Sequence, residues 1–228
     1  MNRSDVPIMT VDGPSGSGKG TVSRAASKAL GWALLDSGAL YRLVALAGRL
    51  AHVSLEDGPV LARLAEGLEM RFESGKFGEE IVWLDGKEVT GAIRTEQAGN
   101  DASKVAALPA VRAVLLERQR GFAIAPGLVA DGRDMGSVVF PQARVKIFLY
   151  AGAAERAVRR YKQLKEQGVT ATLAALSLEI AERDLRDTTR AASPLVASAD
   201  AILLDTTGMS VESVVERVLK IARGRLSI

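Results

Sequence analysis

The chain has 228 residues, 47% hydrophobic and 25% charged, with 30 basic and 27 acidic side chains and a formal net charge of +3. That is the balance of an ordinary globular protein with a full core, long enough for one large or two small domains. It has no cysteine, which excludes disulfides, thiolate metal sites and a cysteine nucleophile. It also has no apolar run of about eighteen residues to span a membrane, and Met1 to Pro7 carries no apolar stretch of signal-peptide length. The expectation is a cytoplasmic protein.

Ile8 to Val11 is a short apolar run. It leads into Gly13, Pro14, Ser15, Gly16, Ser17, Gly18, Lys19, Gly20 and Thr21, and then into a helical pattern (Val22, Ala25, Ala26, Ala29, Leu30) that Gly31 stops. Strand, glycine-rich turn and helix is the context of a phosphate-binding loop. Glycines let successive N–H groups point inward at phosphate oxygens. The following helix adds the positive end of its dipole, and Lys19 adds a mobile cation. The hydroxyl that usually follows the lysine is missing: Gly20 stands there, and Thr21 comes one place later.

A second apolar run, Ala33 to Asp36, is followed by Ser37-Gly38 as a turn and by a helix over Ala39 to Leu50. A third helix covers Pro59 to Gly67, with proline in its first turn. From Leu68 to Glu73 apolar and charged residues alternate, which predicts a half-exposed strand. Ile81 to Leu84, Asp85-Gly86 and Lys87 to Val89 read as a hairpin. Helical patterns occupy Thr95 to Ala107 and restart after Pro109. Leu128 to Asp131 and Val145 to Tyr150 are further buried strands. Helices over 153–167 and 172–190, a strand over Ala201 to Asp205 and a closing helix over Ser210 to Arg223 complete the chain. Five apolar runs alternating with helices predict an α/β protein with a mostly parallel sheet covered on both faces. The patch 68–92 then reads as an insertion in a single domain.

Ligands of such sheets bind outside the carboxyl ends of the strands, and four runs end in aspartate: Asp12, Asp36, Asp131 and Asp205. Ser37 and Arg42 follow the second run, as site residues or as a helix cap and an exposed arginine. Asp131-Gly132-Arg133-Asp134-Met135-Gly136 follows the third, as a functional cluster or a charged turn. Asp131 stands where P-loop proteins carry the carboxylate that orders magnesium or its waters. Arg183, Asp187 and Arg190 fall at i, i+4 and i+7, on one helix face, as a surface ion pair or a clamp over substrate. The arginines gathered between Arg112 and Arg190 suit a polyanionic ligand or solvated helix faces alike. The basic helix holding Arg156, Arg159, Arg160, Lys162 and Lys165 has only Tyr161 among its basic residues as a stacking platform, so nucleic acid is not an expected partner. His52 is expected at the surface or in packing.

The segments GPSGSGKGT, LDSGALYR, NDASKVAALPAVR, DGRDMGSVVFP and RDLRDTTRAASPL, in this order, resemble the bacterial cytidylate kinases over nearly the whole chain. The resemblance implies a P-loop nucleoside-monophosphate kinase fold, a five-stranded parallel sheet flanked by helices. Its core would be 1–67, 93–152 and 191–228, with a small antiparallel monophosphate-binding insert at 68–92 and a helical lid at 153–190. It implies transfer of the ATP γ-phosphoryl group to CMP or dCMP with Mg²⁺, the metal carried mainly by phosphates and water, with Thr21 and Asp131 placed to hold those waters. ATP would lie on Gly13 to Thr21. Ser103, Arg112 and Asp134 would contact cytosine, Arg42, Arg133 and Arg190 the acceptor's phosphate, and Arg183 and Asp187 its ribose, with Ser37 and Tyr41 completing the set. Lys19, Arg133, Arg183 and Arg190 would be the catalytic cations. A monomer is expected, since no helix has a long a/d seam. Two other readings stay open on the residues alone: a P-loop kinase for a different small acceptor, and a nucleotide switch or nucleic-acid-stimulated ATPase.

Overall fold

The computed structural model describes residues 6–76, 79–166 and 168–226. Met1 to Asp5 and Gln167, on which the leader argument and one helix end rested, lie outside the described residues. In chain order the elements are β1 (Ile8–Asp12), α1 (Lys19–Leu30), β2 (Ala33–Asp36), α2 (Ser37–Leu50), α3 (Gly58–Gly67), β3 (Met70–Ser74), β4 (Glu80–Leu84), β5 (Lys87–Glu88), a short 3₁₀ turn (Ala92–Arg94), α4 (Glu96–Val105) and α5 (Pro109–Arg120). Then come β6 (Leu128–Gly132), a π-helical turn (Met135–Val139), β7 (Val145–Tyr150), α6 (Ala153–Glu166), α7 (Leu173–Thr189), β8 (Ile202–Asp205) and α8 (Val211–Leu226).

The chain divides into two compact units, one reaching up to Asp36 and resuming at Arg120, the other Ser37–Gln119. In the first, five parallel strands lie in the order β2-β6-β1-β7-β8. This is the parallel sheet that the alternating pattern predicts. All five residues of β1 are buried, because β6 and β7 take its two edges and helices cover its faces. Met9 and Val11 of β1, Val145, Ile147 and Leu149 of β7, Val22 and Ala26 of α1, and Val214 and Val218 of α8 share one apolar cluster. Burying each of the larger side chains is worth about 1.5–3 kcal/mol. Helix α1 ends as Gly31 predicts. Gly31 is left-handed at φ 66°, and Trp32 N–H donates to Ser27 O at 3.0 Å, which satisfies a last-turn carbonyl.

In the second unit α2 packs on α3 and α4, and β3, β4 and β5 form an antiparallel sheet. The alternating run and the Asp85-Gly86 turn thus become the small sheet they predict, with Asp85 at φ 48° and Gly86 at φ 76°. No helix of the described residues is long and apolar enough to cross a membrane.

Two local expectations are corrected and a third is extended. Ser37-Gly38 is not a turn, because α2 starts at Ser37 directly after β2. First-turn N–H groups have no intrahelical partner in any case, so two weak helix formers are tolerated there. The charged segment after β6, read as a functional cluster or a charged turn, continues into a π turn over Met135–Val139, with Val139 N–H on Asp134 O at 3.2 Å and Phe140 N–H on Met135 O at 2.7 Å. Arg190 is not on the α7 face but one residue beyond it, extended at φ −60°, ψ 138°. There the hydroxyls of Thr188 and Thr189 bond back to carbonyls of the preceding turn, the local competition that weakens a helix end.

The exit from β1 is tightly packed. Gly13 has φ 151°, and a Cβ placed on it would lie 2.0 Å from the main-chain oxygen of Leu149 in β7. A strand backbone in mid-sheet cannot move aside. Gly13→Ala is expected to cost at least about 2 kcal/mol of stability through strain and overlap, measured as a lowered midpoint in thermal or urea unfolding, whereas Gly224→Ala, in α8 with open space around it, does not lower the midpoint and raises it by up to the helix-propensity difference of about 1 kcal/mol.

Candidate active site

After Gly13 the chain curls through two further left-handed glycines, Gly16 at φ 74° and Gly18 at φ 87°. Gly18 begins α1 with no side-chain cap among the described residues. The first-turn amides of that helix are therefore open to an anion. Lys19 folds back over the loop and donates Nζ–H to Pro14 O at 3.1 Å. The buried hydroxyl of Ser17 has no hydrogen-bond partner among the described residues.

Beside the loop stands the carboxyl end of β6. Asp131 and Gly132 pair in register with Val11 and Asp12. Asp131 is 6% exposed, and its Oδ1 has no partner among the described residues. Gly20 of α1 lies beside it: a Cβ there would sit 3.3 Å from Asp131 Oδ2. Thr21 is exposed, one position on. Lys19 is pushed down to about 7, first by burial and then by the positive charge of Arg133, against the pull of Asp131. Asp131 is pushed up, first by burial, with Asp36 adding to it, while Lys19 and Arg133 oppose. A lysine driven toward neutrality by burial, and further by neighbouring arginines, marks a site short of negative charge.

The arginines come from three directions. Arg133 donates Nε–H to Asp187 of α7 at 3.0 Å and Nη1–H to Gly132 O at 3.1 Å. Arg190 Nη2 lies 3.8 Å from Asp134 Oδ1, both side chains under 5% exposed. Burial is the strongest influence on Asp187 and would raise it, yet Arg133, Arg183 and Arg190 together hold its carboxyl below the ordinary carboxylate range. Sequence spacing puts Arg183 one turn from Asp187, and its charge does act on that carboxyl; the fold adds a hydrogen bond from Arg133, 54 residues away.

In the second unit the site candidates also gather. The Arg112 guanidinium lies 5.8 Å from the centre of the Tyr41 ring, within reach of a cation–π contact, and Arg112 donates to Ala106 O at 3.3 Å. Arg42 donates to Ile93 O at 2.9 Å. Ser37 and Ser103 are both buried, on α2 and α4. Two residues before Ser103, Asp101 takes a forked contact from Arg49 and a hydrogen bond from Gln97 at 2.9 Å. That ion pair ties α4 to α2.

Several residues with evident roles were not singled out by pattern. Arg156 reads in sequence as one of many basic residues on a charged helix. In the fold it is 4% exposed and donates to Ala151 O, to Ser15 O of the phosphate loop at 2.9 Å, and to both carboxylate oxygens of Asp184 on α7. Arg159 grips Thr206, donating to its hydroxyl at 3.1 Å and to its carbonyl at 2.5 Å, while that hydroxyl donates to Tyr150 O at 3.1 Å. Two arginines of the basic helix are therefore structural clamps, not a solvated stripe. Their spacing three apart was the one available signal, and it is indistinguishable from a surface face.

A family model described as cytidylate kinase matches residues 9–224. The chain belongs to the cytidylate kinase family. It is 52% identical over 225 residues to the cytidylate kinase of Klebsiella pneumoniae (strain 342), covering 99% of this chain and 99% of that one. The cytidylate kinase of Shewanella denitrificans is 53% identical over 222 residues, covering 97% of this chain and 98% of its own. That of Salmonella arizonae matches at 53% with 97% of each chain covered. Family members of this likeness extend over both units.

The Arg156–Asp184 pair yields a direct test. Asp184→Asn removes the charge partner of a buried guanidinium and is expected to lower stability by about 3 kcal/mol, the range for breaking such a pair. The check is urea unfolding. Asp184→Asn combined with Arg156→Met, which removes both charges, is expected to recover part of the loss.

Proposed function

We propose that this protein transfers the γ-phosphoryl group of ATP to CMP or dCMP, giving ADP and the nucleoside diphosphate. The observation that carries this reading is a cluster in the first unit, where Lys19 of the glycine-rich loop lies in the field of Arg133 and Arg183, and Arg133, Arg183 and Arg190 surround Asp187. Phosphoryl transfer needs no covalent intermediate from the protein; it needs in-line positioning and neutralisation of charge spread over the moving group. The loop amides of Gly13 to Thr21 and Lys19 would hold the donor phosphates. Arg133 and Arg190 would hold the acceptor's phosphate with Arg42, and Arg183 with Asp187 its ribose. An acceptor phosphate oxygen then attacks the γ-phosphorus as the ADP oxygen leaves. The α6–α7 pair would act as the lid that excludes water and so suppresses ATP hydrolysis.

Magnesium fits this site as an ion carried by the nucleotide. No group of three or more His, Asp or Glu side chains among the described residues could cage a metal. The unpartnered buried Oδ1 of Asp131, with the space left by Gly20 beside it, suits a carboxylate that holds water on a phosphate-borne ion. Thr21 is the hydroxyl that the sequence pattern offers beside it. When bound, the ion would neutralise charge on the phosphates. The protein is placed in the cytoplasm and as a monomer on the same reading.

Cytosine offers an exocyclic amine as donor and N3 and O2 as acceptors. On this reading Asp134 would take the amine, and Arg112 and Ser103 would offer donors to the acceptors, whereas uracil would set a carbonyl against the Asp134 carboxylate. Buried mispairing of that kind rejects a substrate strongly. A coupled assay with ATP, Mg²⁺ and each nucleoside monophosphate is expected to show CMP and dCMP far ahead of UMP. Asp134→Ala is expected to abolish most CMP turnover with ATP affinity unchanged; CMP kinetics like those of the wild type would refute the assignment. Stimulation of ATP hydrolysis by nucleic acid, without transfer to any monophosphate, would favour the ATPase reading instead.

The lowered pKa of Lys19 generates a second expectation. In the free protein at pH 8 its amine is mostly neutral, and a polyanion beside it raises its pKa, so ATP binding takes up protons. Calorimetry in two buffers of different ionisation enthalpy is expected to show uptake toward one proton per site. Lys19→Arg, which stays charged throughout, should lose that uptake; equal values for both proteins would show that the lysine is already protonated in the free state.

A further inference from the structure

Asp12 ends β1 and is 6% exposed. Its Oδ1 accepts the N–H of Met135 at 2.8 Å and its Oδ2 accepts the N–H of Gly136 at 2.8 Å. Both donors are in the first turn of the π-helical segment, where N–H groups otherwise have no partner. One carboxylate therefore caps a helical turn that lies 123 residues further along the chain. The register explains how it gets there. Asp12 pairs with Gly132, so after two more residues the chain passes back across the end of β1. The passage is close: a Cβ on Gly136 would lie 2.8 Å from Thr10 Oγ1 and 3.2 Å from the Lys146 side chain. A larger residue there would have to push aside the buried side chains of Thr10 and Lys146.

Two residues lie between Gly132 and the capped turn, Arg133 and Asp134, and they are the ones assigned to acceptor phosphate and base. Asp134 is itself 3% exposed, with the Arg190 guanidinium 3.8 Å away. On the other side of Asp12 the next residue is Gly13, where the phosphate loop begins. The donor loop and the acceptor-reading dipeptide thus hang from one side chain. A π turn is costly in geometry and tends to occur at functional sites; here it is kept by an ionisable cap, not by apolar packing alone.

We propose that Asp12 is a positioning residue: by capping Met135 and Gly136 it holds Arg133 and Asp134 in fixed relation to the phosphate loop, and so sets discrimination between acceptor bases. The proposal rests on the assignment of Asp134 to the acceptor base. Asp12 has no direct role on substrate. Its effect is carried by the backbone of 133–136, and a displacement of about 1 Å there is enough to cost up to a hundredfold in rate.

Asp12→Asn keeps the shape but offers one acceptor oxygen and sets an NH₂ group against the second amide. The expected result is a fall of about tenfold to a hundredfold in kcat/KM for CMP and a smaller fall for UMP, so that the CMP-over-UMP ratio drops about tenfold. The Kd for ATP should hold within about twofold, and hydrogen exchange should speed at the Met135 and Gly136 amides while those of β7 are unchanged. An equal fall for CMP and UMP, with the ratio intact, would overturn the proposal and leave Asp12 a merely structural cap. So would unchanged exchange at the two amides, or an ATP Kd raised in step with the loss. If Asp12→Asn does not fold, Asp12→Ser, smaller and able to accept one N–H, carries the same comparison. Failure of the functional reading is distinguishable: the wild type would then phosphorylate no monophosphate, while the exchange measurement would still report on the cap.

Discussion

The complete burial of β1 is the constraint on which the first unit depends. A strand paired on both edges and covered on both faces has no route to water except at its ends, so a charged group it carries must sit there. Asp12 takes that position, and Gly13 immediately follows under the main-chain oxygen of Leu149. The close approach leaves room for neither a side chain nor an alternative path. The loop that follows is thus launched from a rigid point, and β6 and β7 bring their own carboxyl ends to the same edge. Convergence of Asp131, Arg133 and Asp134 on the phosphate loop is a consequence of strand order β2-β6-β1-β7-β8.

Charge in this region is balanced by pairing more than by solvent. Arg133 with Asp187, Arg156 with Asp184 and Arg190 near Asp134 each join a segment at a strand end to the α7 region. Breaking one partner of such a pair leaves a desolvated charge, which costs far more than a surface pair is worth. The same crowding leaves Lys19 and Asp131 both displaced toward their neutral forms by burial. A site in that condition is poised for an anion: a polyphosphate supplies the negative charge that the surrounding cations lack. The Arg49–Asp101 pair does comparable work within the second unit, holding α4, and with it Ser103, against α2.

How much of this was legible beforehand depends on whether the signal was local. The glycine-rich loop between β1 and α1 was, because its course depends on closely spaced glycines whose left-handed turns are set by backbone geometry. So were the five strands, the Gly31 stop and the Asp85-Gly86 hairpin, which depend on near neighbours. The family resemblance was legible too, since its segments fall in order along the chain. Arg156 and Arg159 were not. A basic residue on a charged helix has the same pattern whether it faces water or reaches the carbonyl of Ser15 or Thr206. Ser37-Gly38 failed for the opposite reason: two residues that usually favour a turn are tolerated in a helix's first turn.

The amino-acid sequence by itself determined the parallel α/β architecture, the glycine-rich loop between β1 and α1 and membership of a kinase family, because periodicity, glycine placement and ordered motifs are properties of neighbouring residues. Only the tertiary structure decided that Asp12 caps a π turn at Met135, that Asp187 bonds Arg133 across 54 residues, and that Arg190 lies beyond its helix and beside Asp134. These contacts join segments far apart in the chain, and the pairing of strand ends that creates them is specified by the packing of the whole sheet and by no short stretch of residues within it.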